Sequence, residues 1–505
     1  MNLALKLAEQ SQLFPEKEAI VYYDQRLSYK QLNAMVNRLA NGLKQSGILP
    51  GDRVLLVLEN CPEFIISYYA IIKMRGIVVP VNPQYTMNEF SLIMLDAEPS
   101  AVITNQQLAP LFKKLSPEIE IKSGIIATGY ENREEGIQSF EKILSIGSDT
   151  FSVDKPAGRD DVAVLMYTSG HTASPKGVML TNHNLYSNAA TFAQCCKMTP
   201  ADRSLLIAPV YHAAAQTCVM NTTIIAGATL VVHDGWKGPQ PLLEAIQNEK
   251  ITFYFGPPTM YALLVKYPDT DKYNLSSWRY ALIGAAPTPP DIFKSFEEKF
   301  GFQLTEGYGL TETSPVTTIV PIDGLKKIGS IGIPIPGVEV KLVDYEDQEV
   351  PVNQIGEIVV KGPNVMKGYY KRPEETNWVM RNGWFHTGDL AYKDSDGYYY
   401  IVDRKKDLII RGGLNIYPRE IEEVLYSHPM IFDAAVVGVP DPIMGEEVLA
   451  FVLLREGSQI TPEEIQEFCV NKLARYKIPK YIRFVENLPK TTSGKLLRGE
   501  LRKML

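Results

Sequence analysis

The segment YTSGHTASPKG, residues 167–177, has the composition of a phosphate-binding turn. It follows the apolar run 162–166, which predicts a buried strand, and it combines small hydroxylated residues with two glycines and Lys176. Such a turn leaves backbone N–H groups free to point at an anion and adds hydroxyl donors and one positive charge. It is not a Walker loop, because Lys176 precedes Gly177 whereas the Walker lysine follows its glycine. Taken alone, an ordinary surface turn is the simpler interpretation.

Three further segments carry residues that can do chemistry. GYGLTE at 307–312 places an aromatic ring, a hydroxyl and a carboxylate within six residues, a set able to stack a base, donate to a phosphate and hold a hard cation. WFHTGD at 384–389 predicts a turn whose aspartate accepts both hydroxyls of a ribose, and 488–498 presents Lys495 on a Ser-Gly-Lys tip. Each has an ordinary interpretation: a turn that only closes the chain, a solvated lysine or, for His212, a core histidine. The four segments together, in this order, favour a nucleotide site.

Over roughly the first 320 residues, strand and helix signals alternate. This alternation predicts mostly parallel sheets covered on both faces, and these sheets must position the segments described above. Ser28 and Gln31 predict a capped helix start, which Gly47 ends, and a strand follows at 54–58. A second helix start is predicted at Thr461.

A later unit repeats this pattern, with a strand at 280–283, the turn Gly-Ala-Ala-Pro at 284–287 and a helix at 290–300. A strand is also predicted at 302–305, before GYGLTE. Ligands are expected at the carboxyl ends of these strands, where the glycine-rich turns fall.

From about 328 to 402 the pattern changes to short strands, including 337–343 and 356–361, separated by Gly/Pro turns. This predicts a small antiparallel barrel or sheet. The charged stretch 403–407 predicts an exposed linker, and about 100 residues of alternating strands and helices follow it.

Composition narrows the class of protein. A chain of 505 residues predicts two or more domains, and 45% hydrophobic with 22% charged residues is typical of a globular enzyme. The net charge of −7 argues against a nucleic-acid surface. Five cysteines without metal-ligand spacing fit a reduced, cytoplasmic setting. The first residues do not form a secretory signal and no apolar run approaches a membrane span, although peripheral membrane contact stays open.

The four segments, in this order, resemble the adenylate-forming superfamily that includes acyl-CoA synthetases, firefly luciferase and peptide-synthetase adenylation domains. The resemblance covers essentially the full length and is strongest to fatty acyl-CoA synthetases. It implies an α/β fold with a large N-terminal domain, 1–402, of two mostly parallel α/β subdomains plus a small β-barrel at about 328–402. A smaller, mobile α+β domain, 403–505, is expected to complete the chain.

The resemblance also implies roles for residues along the whole chain. The loop around the β- and γ-phosphates of ATP comprises Thr168, Ser169, Gly170, Thr172 and Lys176. The adenine is held by Tyr308 and by the turn Gly284, Ala285, Ala286 and Pro287.

The remaining nucleotide contacts fall in the later segments. Thr311 is expected at the α-phosphate, Glu312 at Mg²⁺, and Asp389 with Arg404 at the ribose. Lys495 matches the lysine that bridges the carboxylate and the α-phosphate.

Other positions match the family's acyl pocket, hinge and thiol tunnel. Lys406 is the hinge, Gly412 and Gly413 line the tunnel for the pantetheine arm of CoA, and His212 is a gate beside the acyl pocket that Ala213 and Ala214 line. Lys495, Thr311 and His212 are the residues expected to act in catalysis.

The phosphate loop departs from the family pattern at two places. His171 replaces a small hydroxyl donor, and Ala173 replaces a glycine that is free to take a positive φ. Because Thr172, Lys176 and Gly177 match, we expect a loop that still binds phosphate, with weakened or lost catalysis as the alternative.

The expected function is an ATP-dependent, AMP-forming carboxylic acid:CoA ligase with Mg²⁺ as cofactor. No acidic residue follows His212 where the amino-acid-activating relatives have an aspartate, and the alanines there suit a medium- or long-chain fatty acid. The short connection from Glu312 to Gly329 favours CoA over a carrier protein as acceptor. An aryl or other small organic acid, a non-catalytic binding protein, and a monomer or a homodimer stay open.

Overall fold

The fold is described from a computed structural model, which covers residues 2–115, 119, 121–130, 136–152, 155, 157–168, 175–286, 288–470, 472–490 and 496–504. Among these residues no helix is both long and apolar enough to cross a membrane. The chemistry-bearing residues 169–174, Pro287 and Lys495 lie outside the described part of the chain.

Short strands make up most of the regular structure. In chain order they are β1 (Glu18–Tyr22), β2 (Gln25–Ser28), β3 (Arg53–Leu56), β4 (Ile77–Pro80), β5 (Ala101–Asn105), β6 (Ile125–Thr128), β7 (Ile137–Ser139), β8 (Val162–Thr168), β9 (Lys176–Thr181), β10 (Arg203–Leu206), β11 (Thr229–Val232), β12 (Phe253–Gly256), β13 (Tyr280–Ile283), β14 (Thr305–Gly309), β15 (Val316–Ile319), β16 (Ile333–Pro334), β17 (Glu339–Val343), β18 (Gly356–Lys361), β19 (Gly368–Tyr369), β20 (Met380–Arg381), β21 (Trp384–Lys393), β22 (Tyr399–Arg404), β23 (Ile409–Arg411), β24 (Leu414–Ile416), β25 (Ile431–Asp441), β26 (Gly445–Leu454) and β27 (Tyr481–Phe484).

The helices cover the faces of these sheets. They are α1 (Leu3–Leu13), α2 (Tyr29–Gln45), α3 (Pro62–Lys73), α4 (Met87–Ala97), α5 (Ala109–Leu115), α6 (Phe140–Ile146), α7 (Asn182–Cys195), α8 (Thr222–Ala226), α9 (Pro239–Glu249), α10 (Pro258–Lys266), α11 (Pro290–Phe300), α12 (Pro373–Val379), α13 (Pro418–Tyr426), α14 (Pro462–Val470) and α15 (Arg498–Lys503). A π-helical segment, Ala215–Asn221, precedes α8, and single 3₁₀ turns occur at Thr270–Lys272, Thr311–Thr313 and Arg475–Lys477.

Two large sheets confirm the predicted pair of parallel α/β units. One sheet has the strand order β19-β9-β8-β4-β3-β5-β6-β7 and is parallel from β8 to β7. The other has the order β16-β15-β14-β13-β12-β10-β11-β1-β2 and is parallel from β14 to β1. Their strands are short apolar runs because both faces are covered by helices, so nearly every residue of β3, β4, β11 and β12 is buried. The carboxyl ends of β10, β12, β13 and β14 therefore meet along one edge.

A third, antiparallel sheet follows, with the order β17-β18-β21-β20 and β22 on the free side of β21. This is the predicted small β unit, but it begins at Glu339 and not near 328, because Ile333–Pro334 pairs with β15 of the nine-stranded sheet. Gly368–Tyr369 likewise pairs with β9 and belongs to the eight-stranded sheet. The C-terminal sheet, β24-β23-β26-β25 with β27 parallel to β26, packs α13 and α14 on one buried core.

The predicted helix starts are confirmed at atomic detail. Ser28 Oγ accepts from the Gln31 N–H, and the Gln31 side chain accepts in return from the Ser28 N–H at 2.8 Å, so α2 begins with a closed capping box. Thr461 and Glu464 form the same reciprocal pair before α14. The strand predicted at 302–305 is wrong, because the strand of this unit starts at Thr305 and runs through GYG to Gly309.

Candidate functional site

Tyr308, Asp389 and Arg404 meet although they come from three different strands. Asp389 and Arg404 are direct partners in the antiparallel pair of β21 and β22, and Arg404 Nε lies 3.1 Å from Asp389 Oδ1. The Tyr308 hydroxyl, on β14 of the nine-stranded sheet, donates to the other carboxylate oxygen at 2.6 Å. Asp389 lies on a strand and not on the predicted turn; the positive φ of Gly388, 73°, supplies the local irregularity that the sequence pattern suggested. Burial and the Asp389 carboxylate raise the pKa of Tyr308 well above its usual value, so the hydroxyl stays a donor.

Glu312 lies one 3₁₀ turn beyond β14 and is held by a segment from the eight-stranded sheet. The Tyr369 hydroxyl donates to Glu312 Oε1 at 2.9 Å, and the Met366 N–H donates to the Glu312 carbonyl at 2.8 Å. Burial, followed by the Glu312 charge, raises the pKa of Tyr369. One oxygen of a half-buried carboxylate is thereby fixed by a permanent hydrogen-bond donor.

Lys176, at the start of β9, lies beside Tyr369. Its ammonium lies 5.5 Å from the centre of the Tyr369 ring and pairs with the carboxylate of Glu375. Thr168 and Lys176 face each other as partners in the antiparallel pair of β8 and β9, so β8 is followed by a strand, whereas a Walker loop leads into a helix. Thr168 and Lys176 are the described ends of the predicted phosphate loop; Ser169, Gly170 and Thr172, with His171 and Ala173, are outside the described residues.

Tyr369 and Glu375 were missed in the sequence. Their motif, Gly-Tyr-Tyr followed by two glutamates, has no spacing that points to chemistry. Their position depends on the pairing of β19 with β9, nearly 200 residues away in the chain. The available signal was the aromatic pair after a glycine, which also fits an ordinary strand.

The turn after β13 approaches the backbone of β14 closely. A Cβ on Gly284 would come to 2.8 Å from the Gly307 carbonyl oxygen, and one on Gly309 to 1.7 Å from that of Pro315, so both positions require glycine. Ala285 takes a φ of +70°, which an L-residue adopts only with strain. Ala286 follows it in the same turn.

His212 lies beyond the carboxyl end of β10, just before the π-helical segment. Burial lowers its pKa to about 4, so the ring is neutral at physiological pH, and its Nε2 has no hydrogen-bond partner among the described residues. Ala213 is buried and Ala214 half-buried beside it. The Tyr211 ring packs against the imidazole with 4.8 Å between ring centres.

The segment 403–407 is less exposed than predicted. Asp403 and Asp407 are both buried: Asp403 Oδ2 accepts from the Arg419 N–H at 2.9 Å, and Asp407 faces Arg498 at 3.5 Å. Between them Lys405 donates to Glu357 Oε2 at 2.9 Å, whereas Lys406 is exposed over most of the residue although partial burial of its ammonium lowers its pKa to about 8. Most charged side chains of this segment therefore pair with the antiparallel sheet before it or with the C-terminal unit after it.

Gly412 and Gly413 form the turn between β23 and β24. Both have positive φ, 57° and 81°. The Gly412 N–H donates to the Met444 carbonyl at 2.8 Å, and no described residue lies within 4 Å of a Cβ built on Gly413. The backbone at Gly413 is therefore open on that side, whereas a Cβ on Gly412 would meet the Met444 side chain.

The chain is similar to known proteins in both sequence and structure. The family model "AMP-binding enzyme" matches residues 7–370, and "AMP-binding enzyme C-terminal domain" matches 420–495. The chain is 39% identical to the long-chain-fatty-acid–CoA ligase of Bacillus subtilis, over 98% of this chain and 93% of that protein. It is 38% identical to a feruloyl-CoA synthase of Amycolatopsis, over 98% and 97%. The crystal structure of ATP-bound MatB from Rhodopseudomonas palustris superposes with a TM-score of 0.91 at 32% identity, covering 100% of this chain and 99% of that one.

Proposed function

The chain belongs to the AMP-binding enzyme family and is an AMP-forming acyl-CoA ligase, and from this premise we propose that it activates a medium- or long-chain fatty acid. The acid first becomes an acyl adenylate, with release of pyrophosphate, and then a CoA thioester, with release of AMP. The roles given below to individual residues are part of the proposal.

The observation that carries the proposal is the convergence of the separated motifs. Tyr308 lies near the end of β14 and Glu312 just beyond it, Asp389 and Arg404 come from a different sheet, and Lys176 comes from a third. One group of contacts joins a ring, a carboxylate and a guanidinium, and a second, next to it along the chain, places a cation-binding carboxylate near an ammonium. This is the set that a nucleoside triphosphate needs for its base, ribose and phosphates.

The chemistry explains why such a set is required. A carboxylate is a poor electrophile because its leaving group is oxide, and transfer of AMP replaces that group with a good one. Two anions must approach each other for this transfer, so positive charge has to be placed between them. Lys176 lies where it can neutralise the leaving phosphates once it exchanges Glu375 for them, and Lys495 is assigned to the carboxylate and the α-phosphate.

Glu312 is suited to bind a magnesium ion as the one carboxylate that the protein supplies to it. No group of three or more His, Cys, Asp or Glu side chains converges on a metal position in the described part of the chain. Mg²⁺ is commonly held by one or two carboxylates plus substrate phosphates, so a single oriented carboxylate beside a triphosphate suffices. When bound, the ion supplies charge stabilisation at the phosphates. The Tyr369 hydroxyl fixes Glu312 Oε1 and would thereby hold the carboxylate in one orientation for binding the ion.

Thioester formation needs a different arrangement from adenylation. The thiol must reach the adenylate along a path for the pantetheine arm, and we assign the glycine backbone of Gly412 and Gly413 to that path. The C-terminal unit then turns about Lys406, the exposed residue of the segment 403–407.

Uncharged surroundings support a fatty acid. Ala213 and Ala214 are small, and the neighbouring His212 is neutral because burial lowers its pKa to about 4. The relatives named for long-chain fatty acids and for ferulate are almost equally similar, so an aryl acid is the second candidate.

The test is pyrophosphate release with a panel of fatty and aryl acids, followed by Lys495→Ala. We expect this variant to lose about 10²–10³ in the rate of adenylate formation, the effect of one preorganised charge, and to keep thioester formation from pre-made acyl adenylate. Lys490→Ala is the matched control, because Lys490 lies in the same segment and pairs with Asp433. Equal loss in both half-reactions would contradict the role of Lys495, and a parent enzyme that releases no pyrophosphate with any acid would contradict the proposed function.

A further inference from the structure

The π-helical segment Ala215–Asn221, which follows His212, is buried along its whole length. Single π-helical turns are rare and occur frequently at functional sites, because they shift the side chains out of the ordinary helical register. The segment packs between β10, β12 and α7, at the edge where the strand ends of the site meet.

Gln216 is the unusual residue of this segment. Its side chain is 1% exposed, and neither its Oε1 nor its Nε2 has a hydrogen-bond partner among the described residues. A primary amide has two donors and a carbonyl acceptor, and each buried group left unpaired destabilises the folded protein. An apolar side chain of the same size would avoid this cost, so the amide indicates an external partner.

His212 adds a third unpaired atom on the same side of the chain. The backbone N–H of Gln216 donates to the backbone carbonyl of His212 at 3.1 Å. The two residues are therefore one helical turn apart, with their side chains on one face. His212 Nε2, like the Gln216 amide, is buried without a partner among the described residues.

Other polar side chains of the same stretch are satisfied within the protein. Asn221 accepts from the Tyr69 hydroxyl at 3.0 Å and contacts the Tyr68 hydroxyl at 3.3 Å. Thr222 and Thr223 each donate to a carbonyl of the preceding turn at 2.6 Å. The unpaired atoms are thus confined to the turn at His212 and are not a general property of this buried helix.

The pair offers hydrogen bonds without charge. Burial is the sole cause that lowers the pKa of His212, with no contribution from a charged side chain of the described residues. A second carboxylate or an ammonium on the substrate would therefore be buried without a counter-charge, which is costly. A hydroxyl or carbonyl oxygen suits the pair, because it can form hydrogen bonds with the Gln216 amide and the His212 imidazole and carries no charge.

We propose that Gln216, together with His212, selects acids that carry a hydroxyl or carbonyl oxygen on the acyl chain. This inference rests on the proposed function, in which the acyl chain lies beside His212, and it replaces the plain alkyl chain expected from the alanines with an oxygenated one. Gln216 is then a specificity-determining residue that contacts the substrate away from the reacting carboxylate.

The test compares octanoate with the series of hydroxyoctanoates in which the hydroxyl moves from the second to the last carbon, using kcat/KM for pyrophosphate release. We expect the parent enzyme to prefer at least one hydroxylated isomer by about tenfold or more, because a site built to bind a hydroxyl discriminates strongly against the analogue without it. Gln216→Met should remove this preference by lowering kcat/KM for the preferred isomer, and it should leave the KM for ATP unchanged. Its melting temperature should equal or exceed the parent's, since an unpaired amide is replaced by an apolar side chain of similar volume.

Thr223→Val is the matched control, because it removes a buried hydroxyl that already has its own partner on the same helix. It should keep the parent's preference. The inference is overturned if the parent prefers octanoate over every isomer, if Gln216→Met retains the preference, or if that variant loses stability. The parent's series needs no variant, so misfolding cannot hide the answer, and activity on octanoate separates a failure of this inference from a failure of the proposed function.

Discussion

The two sides of the site differ in how their polar side chains are partnered. On the proposed nucleotide side, which we define as Tyr308, Glu312, Tyr369, Asp389 and Arg404, each side chain binds another member of the group. On the acid side, which we define as His212 and Gln216, three buried polar atoms have no partner among the described residues.

This difference has a physical consequence for the two ligands. Groups that already bind one another are held in place before ATP arrives, so little ordering remains to be done on binding. Groups that are buried and unpaired gain only when a ligand satisfies them, which makes them selective for one ligand chemistry. The nucleotide side is therefore preorganised, and the acid side is where related chains can differ in substrate.

The largest effect is expected from removing the centre of the nucleotide side. Asp389→Ala takes away the acceptor of both the Tyr308 hydroxyl and Arg404, and it leaves a guanidinium without its partner. We expect kcat/KM for ATP to fall by about 100-fold or more, the scale of losing one member of a buried charged hydrogen-bond pair. The KM for the acid should stay nearly unchanged.

Asp396→Asn is the control for this change. Asp396 is an exposed carboxylate near β21 and β22 that pairs with Lys327. If Asp389→Ala and Asp396→Asn had the same small effect on ATP, Asp389 would not be part of a nucleotide site.

Glu306 lies next to the nucleotide side but is not one of the five residues that define it, and it tests how strict the comparison is. It lies on β14, two residues before Tyr308, is buried, and has one carboxylate oxygen without a partner among the described residues. Burial raises its pKa from 4.5 to about 8, against the opposing effects of the Arg419 charge and the Thr288 hydroxyl. The folded protein thus keeps a proton on Glu306 that the unfolded chain releases.

The sign of the resulting pH dependence follows from this difference. The contribution of Glu306 to the free energy of unfolding is greatest at pH values below the unfolded pKa of 4.5. This contribution decreases as the pH rises toward the folded pKa of about 8. Because one pKa unit corresponds to about 1.4 kcal/mol, the loss over this window should exceed that amount. Glu306→Gln removes the ionisable group, so its melting temperature should fall less between pH 5 and pH 8 than the parent's. Parallel curves for parent and variant would contradict the buried, protonated state.

A smaller effect is expected at the metal position. Glu312→Gln should raise the Mg²⁺ concentration for half-maximal adenylation by more than about tenfold, since a neutral amide is a poor ligand for a hard cation. Tyr369→Phe removes only the hydroxyl that orients this carboxylate, and it should raise the same concentration by roughly tenfold or less. A Mg²⁺ titration unchanged in both variants would move the metal position elsewhere.

Much of the local structure around the proposed nucleotide side could be predicted from the sequence, because its residues lie in short motifs with fixed local geometry. Tyr308 lies at the end of one strand with Glu312 just beyond it, and Asp389 follows a glycine whose positive φ is needed locally. The strand–helix alternation, the capping boxes and the helix at 290–300 could be predicted for the same reason, since each depends on contacts a few residues apart.

The rest depends on long-range pairing and could not be predicted. Tyr369 reaches Glu312 only because β19 pairs with β9. The burial of Asp403 and Asp407 depends on Arg419 and Arg498, which follow later in the chain, so a run of charges was wrongly expected to be exposed. The unpaired state of Gln216 is likewise a property of its surroundings, because a glutamine between alanines and a threonine has no unusual signature in the sequence.

The smallest expected effect concerns the turn that joins the two sides along the strand ends. Ala285 has a φ of +70° and is exposed, so Ala285→Gly relieves strain and removes no buried contact. We expect a gain in unfolding free energy of up to about 1 kcal/mol, because a left-handed conformation costs an L-residue about that much. Ala286→Gly, next to it and without a positive φ, should instead lose about 0.5–1 kcal/mol through the added freedom of the unfolded chain. Chemical denaturation of the two variants measures both differences, and opposite signs at adjacent alanines would show that the strain belongs to the backbone of this one position.

If ATP binding also weakens in Ala285→Gly while the protein becomes more stable, the strained turn contributes to the preorganisation of the nucleotide side. If both variants lose stability equally, Ala285 carries no strain, and the preorganisation rests on the side-chain pairs alone.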